Sequence, residues 1–280
     1  MGKFESALMC VSALAAAAAV CSAEPFRTSA TPGLRHYRYT SLEQTQGQAG
    51  TRYRVDFDLA TGSDGSVIAI LRKAEREAGG VWSAPAVDAQ CRKVLHAKKG
   101  ELARITLWPL DAEAAKLGDT FMAMCAPAAY FFPITDLLNV SLVQTQPSFG
   151  LAKLTAPGAK ARFEGFATSL DRLGVAITAS SPGGEIELHA LDANAAVVDW
   201  KPDPMQIKIV NHATAGSPEV TLNGFEKFAF RLEIDPTSGV LKRAATISDN
   251  LDLTVDVPGV PAEKAPRVAI MREVAIETRE

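Results

Sequence analysis

The sequence predicts a mainly β (β-rich α+β) protein with one or more curved antiparallel sheets, arranged as a sandwich or an open half-barrel, and a few helices in the central region. Three observations support this fold class. Apolar and polar residues alternate with a period of two in many segments, which is typical of strands with one buried face. Turn residues separate these segments at intervals of about 8 to 12 residues. The apolar spacing of a helix face is found mainly in the central region.

The overall composition excludes two classes of protein. Of the 280 residues, 47% are apolar, and 29 basic residues nearly balance 32 acidic ones, for a net charge of -3. This balance excludes a strongly basic nucleic-acid-binding protein and a highly charged disordered chain. We therefore expect a folded protein with no nucleic-acid partner.

Residues 1–23 have the pattern of a secretory signal peptide. Lys3 precedes an alanine-rich apolar stretch, Ala7–Val20, and small residues then lead to a cleavage site after Ala23. The sequence therefore predicts export to the periplasm or the cell exterior. One alternative is an uncleaved membrane anchor, but the apolar stretch is barely long enough to span the bilayer. The other is acylation of Cys21, but the residues before it fit a lipoprotein signal poorly. No later segment has about 18 uninterrupted apolar residues, so we expect no stable transmembrane segment in the mature chain.

Signal-peptide cleavage leaves two of the four cysteines, Cys91 and Cys125. Two cysteines in an oxidising compartment most simply form one disulfide bond. Closing a loop of about 35 residues would stabilise the fold by at most roughly 4 kcal/mol. A redox or metal-binding pair is disfavoured because the two residues are far apart and form no Cys-x-x-Cys motif.

The sequence divides into five segments. The two β-rich halves, 37–146 and 151–257, form either two domains or one continuous domain. The segments are a signal peptide (1–23), a flexible leader (24–36), an N-terminal β-rich half with a helical insertion (37–146), a C-terminal antiparallel β half (151–257) and a Pro-rich hinge and tail (258–280).

The N-terminal half begins with three predicted strands. Within residues 52–59, aromatic and aliphatic residues alternate with Arg and Asp, so one face of the strand is apolar and the other is charged. Tyr37 and Tyr39 precede it across a polar connector, Gln44–Gly50, and together these segments predict an antiparallel hairpin. A turn containing Gly then leads to a third strand, Ser66–Leu71.

The central region carries the helix signals. Apolar residues at helical spacing predict a helix over residues 87–95. A strand is predicted for Leu102–Leu110, and one or two helical turns for Asp111–Leu117. Pro133 predicts the start of another helix, because proline is well tolerated in the first turn.

After Pro147 the strand pattern resumes and continues to the tail. Ser181–Gly184 is predicted as a turn because of its Pro-Gly-Gly composition. Residues 268–276 alternate, which predicts either a final strand or a short amphipathic helix. The predicted strands are Ala161–Thr168, Leu173–Ala179, Glu185–Leu191, Ala195–Trp200, Gln206–Val210, Glu219–Leu222, 228–234, Val240–Ile247 and 251–257.

No catalytic, metal-binding or cofactor motif is recognisable in the sequence. The Gly-x-Ser-x-Gly elbow, the His and Cys spacings of zinc sites and the glycine loops that bind phosphate are missing. We therefore expect no metal, no cofactor and a non-catalytic protein rather than an enzyme. The four histidines are predicted as surface or loop residues: His36, His96, His189 and His212.

The most apolar segment of the mature chain is Phe121–Val143. Aromatic and methionine side chains at this density can line a hydrophobic ligand pocket or an adaptable partner surface. The alternative is that they cover the sheet and build the core. The residues selected as a lid or pocket are Phe121, Met122, Met124, Tyr130, Phe131 and Leu138.

These observations favour a binding or carrier module of the cell envelope, for a lipid or another apolar small molecule. The alternative is a structural or protein-interaction component of the envelope that uses exposed strand edges to pair with a partner protein. A third interpretation is a hydrolase whose catalytic residues meet only in the fold. The overall plan resembles that of periplasmic lipoprotein carriers and related lipid-binding proteins, at the level of the fold alone.

The predicted disulfide bond can be tested on the exported protein. Mass spectrometry without reduction should identify one peptide pair linked through Cys91 and Cys125, because both thiols enter an oxidising compartment. Reduction should separate the pair. Two free thiols in the exported protein would contradict the prediction.

Overall fold

The structure, a computed structural model, describes residues 26–83, 92–98, 100, 104–108, 131–172, 175–212 and 218–279. These residues form thirteen β-strands, one α-helix and three short 3-10 helices, which confirms the predicted mainly β fold class. The strands are β1 Gly33–Thr45, β2 Thr51–Thr61, β3 Val67–Ala78, β4 Val81–Ser83, β5 Arg92–Ala97, β6 Arg104–Trp108, β7 Lys160–Arg172, β8 Val175–Leu191, β9 Ala196–Pro202, β10 Met205–Asn211, β11 Val220–Ile234, β12 Leu241–Asp256 and β13 Arg267–Arg279. The helix is α1 Phe131–Thr145, and the 3-10 helices are Pro147–Phe149, Leu151–Lys153 and Ala262–Lys264.

All thirteen described strands belong to one sheet. Its order is β10-β8-β9-β11-β12-β13-β1-β2-β3-β5-β6, with β4 on β3 and β7 on β8. Every pairing is antiparallel, and β9 and β10 both lie between β8 and β11. The first strand pairs with the last: His36 lies opposite Arg279, and Thr45 lies opposite Ile270. The strands of the two halves of the sequence therefore form one continuous sheet, joined where β13 pairs with β1.

One face of this sheet carries the hydrophobic core. Buried residues from β5, near one end of the strand order, and from β7, at the other, belong to a single cluster. Because one core is shared by both ends, the sheet must curve round it, as twisted antiparallel sheets do. We call the concave side of the sheet the inner face. On the outer face, cross-strand ion pairs such as Arg38–Asp56 and Arg54–Glu75 lie at 2.7 Å.

Helix α1 lies on the inner face. Pro133 occupies its first turn, where its missing N–H is not needed by the helix, and this confirms the helix that Pro133 predicts. Leu137, Val140 and Val143 are buried in the same core as the strands. Near the end of α1, the backbone carbonyl of Thr145 accepts a hydrogen bond from the backbone N–H of Gly100, at 3.0 Å.

The helix predicted over residues 87–95 is wrong for residues 92–95, the part of this range that the structure describes. Residues 92–95 belong to strand β5, which pairs with β3 and β6. Leu95 and Ala97 are both buried, with the period of two that a strand requires. Three of the four apolar residues, Val87, Cys91 and Leu95, are spaced by four positions and so fit both periods. The hydrogen bonds of β5 with β3 and β6 decide for the strand. The strand predicted over Leu102–Leu110 is confirmed as β6, whereas Asp111–Leu117 lies outside the described residues.

The turn predicted at Ser181–Gly184 is also wrong, because these residues run inside strand β8. They mark the place where β8 changes its partner from β10 to β9. Gly183 has a φ of 150°, and a β-carbon there would lie 2.7 Å from the carbonyl oxygen of Phe163. Glycine therefore serves a close backbone approach rather than a chain reversal. In the tail, the strand alternative is confirmed as β13.

A second close approach gives a stability prediction. In Gly224→Ala, the added β-carbon would collide with the backbone carbonyl of Asp252 on the neighbouring strand. We expect a loss of about 2 kcal/mol or more in the free energy of unfolding, measured by urea denaturation. At Gly50 the nearest atoms belong to the side chains of Leu42 and Gln44, which can move. Gly50→Ala should therefore cost less than about 1 kcal/mol, and equal losses at the two positions would refute this account of Gly224.

Candidate functional site

Four charged residues lie on the inner face, one on each of four neighbouring strands. Glu226 is in β11, Asp249 in β12, Arg272 in β13 and Glu43 in β1. Each is in phase with the buried apolar residues of its own strand, so the pleat directs all four side chains inward. In the ladders, Arg272 lies directly opposite Glu43, and Asp249 lies opposite Phe228.

The guanidinium of Arg272 is the centre of this group. Its Nη2 lies 2.6 Å from Oδ2 of Asp249, 2.8 Å from Oε1 of Glu226 and 3.1 Å from Oδ1 of Asp136 on α1. All four side chains are buried, with at most 7% of any of them exposed. We call these four residues the Arg272 cluster. The contacts with Glu226 and Asp136 are charge-assisted hydrogen bonds, which are stronger than those between neutral groups, and the contact with Asp249 is an ion pair.

Asp136 connects helix α1 to the sheet through this cluster. Its Oδ2 accepts hydrogen bonds from the hydroxyl of Tyr39 at 2.8 Å and from Nη1 of Arg272 at 3.2 Å. Tyr39 is fully buried on β1, and Arg272 is on the adjacent β13. The carboxylate therefore contacts the two strands that join the halves of the sheet.

The cluster contains more acids than it can neutralise. One guanidinium faces three carboxyl groups, and a buried charge without compensation is costly. Burial raises the pKa of Asp249 to about 8, and it also raises the pKa of Glu226 and of Asp136. The nearby Arg272 charge opposes these shifts but does not cancel them. The folded protein therefore retains at least one proton in this cluster at neutral pH.

Glu43 extends the cluster along β1. Burial raises its pKa to about 7, while Arg272 and Arg76 act to lower it. Its Oε1 is buried and, within the part of the chain that the structure describes, accepts no hydrogen bond. Glu43 is thus a half-buried carboxyl group that changes its charge near neutral pH.

Beside this charged row, the inner face carries half-buried apolar residues. Ile209, Leu222 and Val255 lie opposite one another across β10, β11 and β12. Val268 and Ile270 continue this set on β13, each facing a buried leucine of β12. All five are in phase with core residues yet remain partly exposed. We call these five residues the apolar strip.

An aromatic group fills the inner face between β7 and β11. Trp200, fully buried on β9, is its centre, with ring centroids of Phe149 at 5.7 Å and Phe228 at 5.3 Å in edge-on contact. Phe163, Phe166 and Phe230 complete the group. Edge-on, tilted and stacked contacts of this kind stabilise the core. Phe166 alone of these six rings is partly exposed.

Few residues of the predicted lid are among those that the structure describes. Helix α1 contains Phe131 and Leu138, but their side chains are outside the described set. The other selected residues and both cysteines of the predicted disulfide lie outside the described residues: Phe121, Met122, Met124, Tyr130, Cys91 and Cys125. The lid and the disulfide therefore remain predictions.

The sequence analysis missed the Arg272 cluster, although a signal for it exists. The apolar alternation of β11 starts at Phe228, and Glu226 is the preceding residue in phase. Asp249 likewise precedes the in-phase leucines of β12, and Glu43 follows the in-phase tyrosines of β1. Arg272 lies between two in-phase apolar pairs of β13. A charged residue in the apolar phase of a strand indicates a buried charge with a partner.

The histidines lie apart from this cluster. His36 on β1 has its Nδ1 2.8 Å from Oδ1 of Asp58, but its side chain is 59% exposed. His189 and His212 are exposed, and His96 is half-buried. In the described ranges, no group of three or more His, Cys, Asp or Glu side chains is arranged to hold a metal ion.

None of the helices in the described residues has the length and apolar character needed to cross a membrane.

Comparison with known proteins does not assign this chain to a class. No protein family matches it, and no curated protein does. Among solved structures, it is similar to a mutant Rh. blastica porin at 8% identity, covering 89% of this chain and 100% of the porin, with a TM-score of 0.17. The Pseudomonas aeruginosa MucA/MucB complex matches at 10% identity (88% of this chain, 89% of that chain, TM-score 0.17), and LpxR from Salmonella typhimurium at 7% (88%, 99%, 0.15). TM-scores this low support no functional inference.

The raised pKa values predict an unusual dependence of stability on pH. Asp249 and Glu43 bind protons in the folded state up to pH about 8 and 7, whereas the unfolded chain releases them near pH 4. Between pH 5 and 8 the folded state therefore binds more protons, so its stability falls as pH rises, by up to about 1.4 kcal/mol per pH unit for each proton. We expect Tm to fall by at least roughly 5 °C over this range in a thermal melt.

Two further outcomes make this prediction specific. Glu43→Gln should make the decrease in Tm smaller, because one titrating group is removed. Below pH 4 stability should fall again, since hydrogen bonds lower the pKa of Asp235 to about 2 and it must be protonated there. A Tm that rises or stays constant from pH 5 to 8 would show that the cluster does not retain protons.

Proposed function

We propose that this protein is a non-catalytic binding or carrier module that holds an apolar ligand on the inner face of its sheet. The observation that supports this proposal best is the apolar strip, Ile209, Leu222, Val255, Val268 and Ile270. These side chains face the same way as the core but remain partly exposed. Contiguous apolar surface of this kind is typical of ligand-binding grooves.

The dimensions of the strip suit a chain-like ligand. It crosses four neighbouring strands, β10 to β13, and neighbouring strands lie about 4.8 Å apart, so it is roughly 14 Å long. An extended hydrocarbon tail of a lipid fits this length. Helix α1 lies over another part of the same face, where it can limit how far a ligand enters.

The predicted signal peptide makes the cell envelope the proposed location. Export would bring the protein into contact with lipids and with other envelope components. A soluble carrier needs an inner apolar face and a charged outer face, and the outer ion pairs of β1, β2 and β3 provide such a surface.

The alternative, a protein-interaction component that pairs through a strand edge, is less well supported. Among the described strands, β7 pairs with β8 alone. However, Lys160, Arg162 and Glu164 are exposed along β7, and charges on an edge strand are typical of edges that avoid pairing. The hydrolase interpretation has its strongest histidine–carboxylate pair, His36 and Asp58, on an exposed surface.

Ligand binding can be tested with a matched pair of variants on one strand. Leu222→Asp places a charge in the apolar strip, whereas Phe225→Asp places one on the outer face, where Phe225 is 55% exposed. With the mature chain and a fluorescent apolar probe, we expect Leu222→Asp to weaken binding at least ~10-fold, since ~1.4 kcal/mol of lost contact produces that change. Phe225→Asp should stay within about twofold of the unmodified protein.

The same assay tests the predicted lid, and native mass spectrometry tests the ligand itself. Tyr130→Asp or Phe131→Asp should also weaken probe binding while the β-type circular dichroism is kept. Protein purified from the periplasm without detergent should carry an added mass that leaves on denaturation. No probe binding by the unmodified protein, or equal losses in Leu222→Asp and Phe225→Asp, would contradict the proposal.

A further inference from the structure

We infer that protonation of the Arg272 cluster controls the docking of helix α1 on the inner face: the helix is held while the cluster keeps its protons and is released when they leave. The proposal concerns regulation of the same inner face, and its biological use rests on the proposed function. The docking itself is a property of the protein alone and can be measured without a ligand.

The first step is the position of Asp136. It is the one titratable residue in the sequence of α1, and it reaches into a cluster whose other members all come from the sheet. Its two oxygens are bound by Arg272 and by the hydroxyl of Tyr39. Docking of the helix therefore includes burying this carboxylate beside Glu226 and Asp249.

The second step is the charge balance of the site. If all three carboxyl groups are ionised, the single guanidinium leaves two buried negative charges without compensation, which is strongly unfavourable. Retained protons remove this excess. Among the residues that the structure describes, the titratable and charged groups that face the cluster are, element by element, Asp136 (α1), Tyr39 and Glu43 (β1), Tyr53 (β2), Arg76 (β3), Glu226 (β11), Asp249 (β12) and Arg272 (β13).

The third step is which member of the cluster can move. Glu226, Asp249 and Arg272 are held by the sheet backbone: Glu226 is paired on both sides, Asp249 is paired with Phe228 of β11, and Arg272 is paired with Glu43 of β1. The β12–β13 ladder itself is interrupted between Ala245 and Asn250. Helix α1 takes no part in the sheet ladders and meets the sheet through side chains, with Asp136 accepting three hydrogen bonds from Tyr39 and Arg272. When the carboxyl groups ionise, repulsion is relieved at the lowest cost if Asp136 leaves with its helix.

Release of α1 would expose more of the inner face. Leu137, Val140 and Val143 pack into the core from the helix, so their departure uncovers apolar surface. Proton release can shift the docking equilibrium of α1 enough to be measured, because each proton released contributes up to a tenfold change in this equilibrium per pH unit. The cluster can thus couple local pH to how much of the inner face, beyond the apolar strip, is open to a ligand.

The test is hydrogen exchange of the mature chain between pH 6 and pH 9, expressed as protection factors that correct for the intrinsic pH dependence of exchange. We expect protection of α1 to fall at least ~10-fold over this range. We also expect β9, inside the sheet, to remain at least ~10-fold more protected than α1 at pH 9. Protection of α1 that does not depend on pH, or exchange of α1 together with β9 at every pH, would overturn the inference.

Substitutions connect the effect to the cluster. The double variant Glu226→Gln with Asp249→Asn leaves one guanidinium and one carboxylate, so protection of α1 should change less than about threefold with pH. If the double variant does not fold, Asp249→Asn alone can be measured. The change in protection of α1 between pH 6 and pH 9, on a logarithmic scale, should then be about half that of the unmodified protein, since one of the two excess charges is removed. Asp252→Asn, exposed on the outer face of the same strand, is the matched control and should behave like the unmodified protein.

An apolar probe separates this inference from the proposed function. If α1 opens with rising pH but no probe binds, the switch stands and the carrier function fails. If a probe binds with the same affinity at pH 6 and 9 and protection of α1 is constant, the carrier function stands and the switch fails.

Discussion

The inner face of this sheet depends on the interaction of Arg272 with three acids. Glu226 and Asp249 are on β11 and β12, and neither carboxyl group could be ionised inside a hydrophobic core without a cation beside it. Arg272 on β13 supplies that cation, and through Asp136 it also holds the helix that covers part of the core. A one-residue slip in any of these strands would turn its charged residue outward and its apolar residues into water. The cluster therefore specifies register as well as packing.

Much of the fold follows from local pattern. Period-two alternation identifies the strands of both halves, and Pro133 identifies α1, because each depends on residues close together in the chain. The failures have physical causes that are not local. Residues 92–95 form a strand because β3 and β6 supply hydrogen bonds on both sides, and Ser181–Gly184 stays extended because β8 changes partner there. The pairing of β1 with β13, across most of the sequence, has no local signal at all.

The candidate site was predictable only in part. A charged residue in the apolar phase of a strand is visible at Glu43, Glu226, Asp249 and Arg272, so the burial of each could be inferred one strand at a time. That the four lie side by side depends on the strand order, which joins β11, β12, β13 and β1. The contact with Asp136 depends in addition on where α1 crosses the face. Sequence pattern gives the side of a strand on which a residue lies, but not its neighbour on the next strand.

The pairing of β1 with β13 also has a consequence for how the chain acquires its fold. Contacts between residues so distant in sequence give a high contact order, and the entropy of closing such a large loop must be overcome before those contacts form. Strands β11 to β13 and β1 to β3 can each form meanders early, but neither buries its inner face until the two meanders meet. In the interval both expose apolar strands, which are vulnerable to proteolysis and aggregation. Assembly of the sheet is thus complete only once β13 is available to pair with β1.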